Sequence, residues 1–413
     1  MPPLDILILT NGPGEVTTWV FPVVKAIREQ LGNDSSQVRI SLILSPCPNA
    51  TGKEAMIAAS YPQVNRVQAA EDFFPFLLWG KTKDNWDWRS QGIVLFLGGD
   101  QFFAVLAGKR LGYKTLVYAE WEARWYRWID HFLVMNQQVI NKLPNKYQKK
   151  CTLVGDLMAE AAQYSQIVPQ KTVIIGLLPG SKPAKLAQGV PLCLSIADLI
   201  HQTRPHIEFF MPIAPTLDLP TLEKFANSAT NSLVEKMGRV EGKLFQTAKN
   251  NYLITKNNLK IRLITKFPAY TELAQSQLCI TTVGANTAEL GSLAIPMIVL
   301  LPTQQLDAMR AWDGIPGILA NLPGLGSIFA KLINLLVIKQ GKLFAWPNKW
   351  ADKEIVPELI GNLQPAEIKD LVVDFLDNPA KLAQIRQNLL KYRGKSGAAA
   401  QIALKIAQDS FSF

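Results

Sequence analysis

Short, almost wholly apolar runs alternate along the chain with stretches whose apolar residues recur every three or four positions. Leu4–Leu9 is the first such run, and the turn Asn11-Gly12-Pro13-Gly14 follows it. Thr17 to Leu31 then carries Val20, Val23, Val24, Ile27 and Leu31 at helical spacing, with Gly32 placed to end the helix. The same pattern predicts strands over residues 38–44, 93–97, 114–118, 132–135 and 152–154, and a helix over residues 102–111. Strands that are apolar on both faces need cover on both faces, which implies a parallel sheet with helices above and below.

After a polar connection, Gln163 to Lys171, the pattern restarts. Strands are predicted over 173–178, 207–211, 261–264, 278–282 and 296–301, and helices over 190–201 and 269–275. From Pro365 the chain reads as helical to its end. The expected fold class is α/β, with two Rossmann-like, doubly wound domains facing a cleft. The expected domains are residues 1–165, an N-terminal acceptor domain, and residues 166–365, a C-terminal nucleotide-sugar donor domain. Residues 366–413 form C-terminal helices that can pack back on the N-terminal domain. In open sheets of this kind ligands bind beyond the carboxyl ends of the strands, where the strand order reverses.

Composition narrows the function classes. The 413 residues are 48% hydrophobic and 18% charged, which excludes a disordered, collagenous or coiled-coil chain. Lys and Arg number 43 against 33 Asp and Glu, a net charge of +10 that suits nucleic acid, anionic lipid or a phosphorylated substrate. The basic residues are scattered and form no nucleic-acid recognition module, so no nucleic-acid partner is expected. Cys47, Cys151, Cys193 and Cys279 are far apart and make no metal-ligand spacing with His131, His201 or His206, as expected in a reducing cytosol. The first residues carry no basic signal-peptide region, and no apolar run reaches the ~18 residues of a spanning helix.

The Gly-rich strand ends hold the candidate chemistry. Gly12-x-Gly14-x-x-Thr17 approaches a dinucleotide fingerprint, but the second strand ends in Leu44-Ser45-Pro46 without the acid that would bind a ribose hydroxyl. No Gly-Lys pair has the Walker spacing. In the second half, Gly180, Ser181 and Lys182 form one strand-end loop. Gly284, Ala285, Asn286 and Thr287 form another that begins a helix, where free N–H groups attract a diphosphate. Glu289, one turn into that helix, can accept from ribose hydroxyls. Helix capping explains each loop singly; the pair points to a nucleotide diphosphate. Asp100, Glu15 and Glu120 are the acids at strand ends in the first half. One of them is expected to act as general base, although Asp100 also reads as a helix cap.

Two segments are too apolar for loops. Phe73, Phe74, Phe76, Leu77 and Trp79 precede Lys81, Lys83 and Arg89, and residues 315–338 form a second apolar stretch. Apolar residues flanked by cations suit an interfacial membrane contact, and equally a core or dimer surface.

Taken in order, these segments resemble lipid-A-disaccharide synthase, and the resemblance spans nearly the whole chain. Residues Gly112–Tyr118 look like that family's GIKTIHY, Leu177–Lys182 like its LLPGSR, and Gly284–Glu289 with Ile295-Pro296-Met297 like its SGTATLE…PM. Residues 151–160 are similar to its VGHPLAD segment, and Trp346-Pro347-Asn348 with Glu354–Leu359 to its LPN…VxELL. Lys182 stands where the family has Arg, which removes a bidentate fork. The first loop reads Gly12-Pro13-Gly14-Glu15-Val16-Thr17 where the family has GExSGD. The segment from Gln304 to Phe344 is longer than usual.

The resemblance implies the B-type glycosyltransferase (GT-B) fold. It also implies inverting transfer of a sugar from a UDP-sugar to a lipid-linked or glycolipid acceptor, with release of UDP. Asp100 is the first choice of base and Glu15 the second, and Lys182 and Asn348 would steady the leaving group or the sugar. No cofactor is expected, because the UDP-sugar is a substrate, and no metal is required, because helix N-termini and a cation can offset the developing phosphate charge. The expected partners are the nucleotide sugar, the acceptor and an anionic membrane surface at the cytoplasmic face, with a homodimer left open. A sugar-nucleotide epimerase of the same fold, a catalytically silent lipid- or partner-binding relative, and a Rossmann oxidoreductase are the alternatives.

Overall fold

The computed structural model describes residues 3–47, 50–164, 172–302, 343–394 and 396–410. The chain divides into two compact units, one of Met1–Glu160 with Gly394–Phe413 and the other of Ala161–Arg393.

The first unit is a seven-stranded sheet of order β3-β2-β1-β4-β5-β6-β7. Its strands are β1 (Leu4–Thr10), β2 (Val38–Leu44), β3 (Arg66–Gln68), β4 (Gly92–Phe96), β5 (Lys114–Ala119), β6 (His131–Val134) and β7 (Cys151–Leu153). All neighbours are parallel. Successive β1 residues serve opposite faces. Leu4, Ile6 and Ile8 join the core under helices Phe21–Leu31 and Ala398–Ser410, while Leu7 and Leu9 join the core under helices Phe73–Trp79 and Phe102–Leu111. That two-sided burial is why the strand is apolar throughout. Asp5, buried in β1, is held by Arg39 at 2.8 Å and by the Tyr113 hydroxyl at 2.9 Å.

The second unit is an eight-stranded sheet of order β10-β11-β12-β9-β8-β13-β14-β15. It comprises β8 (Ile174–Leu178), β9 (Glu208–Pro212), β10 (Gly242–Gln246), β11 (Asn251–Thr255), β12 (Lys260–Ile264), β13 (Leu278–Thr282), β14 (Met297–Pro302) and β15 (Glu358–Gly361). β10, β11 and β12 pair antiparallel and the others parallel. The antiparallel β10–β11 hairpin is absent from the sequence reading, because its exposed strands alternate too weakly to register. The helix after β8 spans Pro183–Thr203, seven residues earlier than the periodicity predicts, because Pro183 suits a first helical position.

The C-terminal helices do not form one group of 366–413. Helices Pro365–Asp377 and Pro379–Tyr392 bury Ile368, Val372, Phe375, Ile385 and Leu389 in the second unit's core. Only Ala398–Ser410 returns to the first unit, where Glu160 accepts from Gly397 N at 3.1 Å and Ala399 N at 3.0 Å.

Candidate functional site

In the first sheet the strand order reverses between β1 and β4. The loops that leave those two strands carry Glu15 and Asp100. Glu15 closes the short helix Pro13–Glu15, and its carboxylate folds back over Gly12. A Cβ at Gly12 would lie 2.4 Å from Glu15 Oε2. From β4, Gly98 and Gly99 have φ of +139° and +108°, a region that favours glycine. A Cβ at Gly98 would stand 3.0 Å from Asn11 Oδ1, and one at Gly99 would stand 2.8 Å from Ser45 Oγ. Three glycines thus let the β1, β2 and β4 loops close on one another around Glu15. Asp100 is exposed, and its Oδ1 accepts from Phe102 N at 2.9 Å, the first N–H of the helix that follows, while Gln101 holds the cap position. Asp100 thus serves the helix start from one residue before the cap.

The second sheet reverses between β8 and β13. The Pro179–Lys182 loop leaves β8, and the Val283-Gly284 turn leaves β13 to start helix Ala285–Ser292. Gly180 has φ of +104°, and Gly284 has φ of 155° with ψ of −165°. Both conformations belong to glycine. Gly189 lets the first turns of helix Pro183–Thr203 lie on the loop, since a Cβ there would be 2.4 Å from Pro179 O. Gly180, Ser181, Lys182, Gly284, Ala285 and Asn286 are all partly exposed at this edge.

Glu289 is half-buried, and desolvation pushes its carboxyl up to about 7. Among the described residues no side chain pairs with it. Two residues missed by the sequence reading complete the edge. Lys185 lies one turn beyond Lys182, a spacing that signals a shared helix face, and donates from Nζ to Val283 O. Thr282 is 5% exposed, and among the described residues its Oγ1 has no hydrogen-bond partner.

Two donor-site expectations do not fit this geometry. Asn348 is fully buried, and its amide is used internally. Nδ2 donates to Val356 O at 2.9 Å and Glu358 Oε1 at 2.7 Å, while Oδ1 accepts from Ile355 N at 2.7 Å and Val356 N at 2.9 Å. Thr287 is likewise fully buried; its hydroxyl donates to Gly284 O at 2.8 Å and accepts from Trp346 N at 3.1 Å. Both side chains shape the loop rather than present a group to a ligand.

The membrane expectation divides in the same way. Phe73, Phe76 and Leu77 face inward and belong to the core, because helical spacing puts them on one side. Phe74, Leu78 and Trp79 point outward at 49%, 51% and 65% exposure. Trp121, Trp125 and Trp128 are also exposed. They stand on a loop tied to Gln101, whose Nε2 donates to Glu122 O at 2.8 Å and whose Oε1 accepts from Arg124 N at 2.8 Å. The apolar stretch 315–338 lies outside the described residues. Among those residues no helix is long and apolar enough to cross a membrane, and no cluster of three metal-ligating side chains occurs.

Two Rossmann-like sheets, each with glycine-rich loops at its switch point, give an α/β protein with the GT-B fold. The comparisons with solved structures agree. A protein described as a UDP-N-acetylglucosamine 2-epimerase from Listeria monocytogenes superposes with a TM-score of 0.55 at 13% identity, covering 100% of this chain and 97% of that one. The UDP-GlcNAc 2-epimerase from Neisseria meningitidis, solved with UDP-GlcNAc bound, gives 0.50 at 11% identity over 98% and 100%. In sequence, the lipid-A-disaccharide synthase of Anaeromyxobacter sp. (strain K) is 24% identical over 255 residues, 60% of this chain and 52% of that protein. That of Anaeromyxobacter dehalogenans (strain 2CP-1 / ATCC BAA-258) matches to the same extent. The chain spans about half the length of the curated relatives it matches, and the relationship is distant. No family model matches the chain.

Proposed function

We propose that the protein is an inverting glycosyltransferase that moves a sugar from a UDP-sugar to a lipid-linked or glycolipid acceptor. The observation that carries this reading is the meeting of two glycine-dependent loops, each opening a helix, at the β8/β13 switch point of the second unit. Helix N-termini offer N–H groups and partial positive charge to a diphosphate. As the bond from the anomeric carbon to the phosphate oxygen breaks, the same groups take up the charge on the leaving UDP. Gly180, Ser181, Lys182, Gly284, Ala285 and Asn286 would line the diphosphate, and the Glu289 carboxyl would meet the ribose.

In the first unit Glu15 is the better candidate base. It sits at the switch point and has no capping duty, whereas the Asp100 carboxylate is already engaged by a helix start. As base, the chosen carboxylate takes the proton of the acceptor hydroxyl while its oxygen bonds to the anomeric carbon.

The acceptor reading draws support from the distant synthases and from the outward residues Phe74, Leu78 and Trp79, which stand near Lys81 and Lys83 in sequence. Those residues would rest on an anionic leaflet at its cytoplasmic face.

The likeness to the two epimerase structures supports a second reading, epimerisation of a UDP-sugar without an acceptor. Incubation with UDP-GlcNAc and a lipid acceptor decides between them. Transfer releases UDP only when acceptor is present; epimerisation inverts the sugar in its absence and releases none. Failure of both reactions over a panel of UDP-sugars would remove the enzyme reading.

A further inference from the structure

We propose that Lys185 is the ammonium that binds the phosphate oxygens of an anionic ligand, at the meeting of the two helix starts of the second unit. The proposal rests on the nucleotide-sugar reading and assigns that site a residue which neither the sequence motifs nor the resemblance supplied.

The position of Lys185 is set by two glycines. Its Cβ lies where a Cβ on Gly180 would come within 3.0 Å, and its Nζ lies 3.1 Å from where a Cβ on Gly284 would stand. A side chain at either glycine would push the lysine out. Nζ reaches across from helix Pro183–Thr203 to the turn that opens helix Ala285–Ser292, where it donates to Val283 O. One carbonyl uses one of three ammonium protons, so the remaining donors are available at the same edge.

The site also lacks a counter-charge. Among the described residues no carboxylate pairs with Lys185, and the charged neighbour that acts on it is another cation, Lys182. Burial, and then Lys182, lower its ammonium to about 8. A desolvated cation beside a second cation, next to helix N-termini that favour negative charge, is electrostatically incomplete. Thr282 supplies an independent sign of a missing ligand. Its buried Oγ1, at the end of β13, is unpartnered among the described residues and lies 3.1 Å from the Cβ position of Gly180 in the facing loop. A phosphate seated between Gly180 and Gly284 would give the hydroxyl an acceptor and the ammonium an anion. It would also draw Lys185 fully into its charged form, so binding near pH 8 would take up a proton.

Calorimetric titration of UDP and of inorganic pyrophosphate tests this on the full chain, with Lys185→Met, Lys185→Arg and the surface control Lys224→Met. Wild type and Lys224→Met should bind both probes alike. Lys185→Met should bind each about ten- to a hundredfold more weakly, the loss expected for hydrogen bonds to a charged group. Without ligand, Lys185→Met should melt no lower than wild type, since an apolar side chain replaces a buried ammonium that has no anion. Titrations from pH 7 to 9 in two buffers of different ionisation enthalpy should show net proton uptake on UDP binding by wild type, since burial lowers the free ammonium and a phosphate restores its charge. That measurement stands even if a variant fails to fold.

Unchanged affinity in Lys185→Met, or no proton uptake by wild type, would overturn the assignment and leave the nucleotide reading standing. Pyrophosphate binding that depends on Lys185, without UDP binding, would keep the anion site and remove the nucleotide. Failure of wild type to bind either probe would remove both.

Discussion

The side chain of Glu15 occupies the space that Gly98 leaves open: a Cβ on Gly98 would stand 3.0 Å from Glu15 Cγ and 3.3 Å from Glu15 Cβ. The acid after β1 is thereby fixed by a glycine after β4, across the point where the strand order reverses. Glu15→Gln keeps the shape and removes the charge. It should lower transfer by about two to four orders of magnitude while UDP affinity stays within about twofold. Asp100→Asn should keep most activity, since asparagine caps a helix as well as aspartate does. Steady-state rates of the two variants, with UDP affinity measured alongside, separate the candidates; loss in Asp100→Asn alone would exchange their roles.

Glu289 gives a pH signature. Its carboxyl is held at about 7 in the folded chain against 4.5 in the open one, because burial disfavours the charge. The folded state therefore binds the extra proton between about pH 4.5 and 7, and this contribution to stability is lost as pH rises through that window. Glu289→Gln should flatten that part of the profile and raise the melting temperature by a few degrees near pH 8. Superimposable melting profiles for wild type and variant from pH 5 to 8 would mean that the carboxyl is well solvated.

Asn348→Ala should behave as a stability variant. It strips partners from Ile355 N, Val356 N and Val356 O together, in a fully buried place. A loss of about 2–4 kcal/mol is expected from a few unmet buried groups. Chemical denaturation measures it. UDP affinity should hold at temperatures where the variant is folded, and a selective fall in affinity would return Asn348 to the ligand.

Helix Phe73–Trp79 separates surface from core within seven residues. Replacing Phe74, Leu78 and Trp79 together by Ser should leave the melting temperature nearly unchanged and release the protein from anionic vesicles. Phe76→Ala should cost about 3–5 kcal/mol, as for other buried rings. Co-sedimentation and thermal melting read the two effects separately. A wild type that stays in the supernatant with vesicles at low salt would assign the outward face to another partner.

Most strands were legible because burial on both sheet faces leaves a nearly pure apolar run, as in β1, β2 and β13. The glycine-rich turns were legible because positive φ restricts them to few residues. Asn348 and Thr287 were misread for a physical reason. A polar side chain beside a ligand loop looks the same in sequence whether it faces outward or ties the loop together. Lys185 was missed because the apolar periodicity begins only at Val190, so the lysine was not placed on a helix and its spacing from Lys182 went unread. In Phe73–Trp79 the apolar density concealed a helical division into an inward and an outward face.

The return of helix Ala398–Ser410 to the first unit has a consequence for synthesis. During translation that helix leaves the ribosome only after residues 161–393 have been made, a delay on the order of ten seconds or more. Throughout that interval Leu4, Ile6 and Ile8 lack part of their cover, and helix Phe21–Leu31 lacks the neighbour it packs against. The second unit is continuous in sequence and has no such gap between its parts. An apolar face of the first unit therefore stays open until helix Ala398–Ser410 arrives.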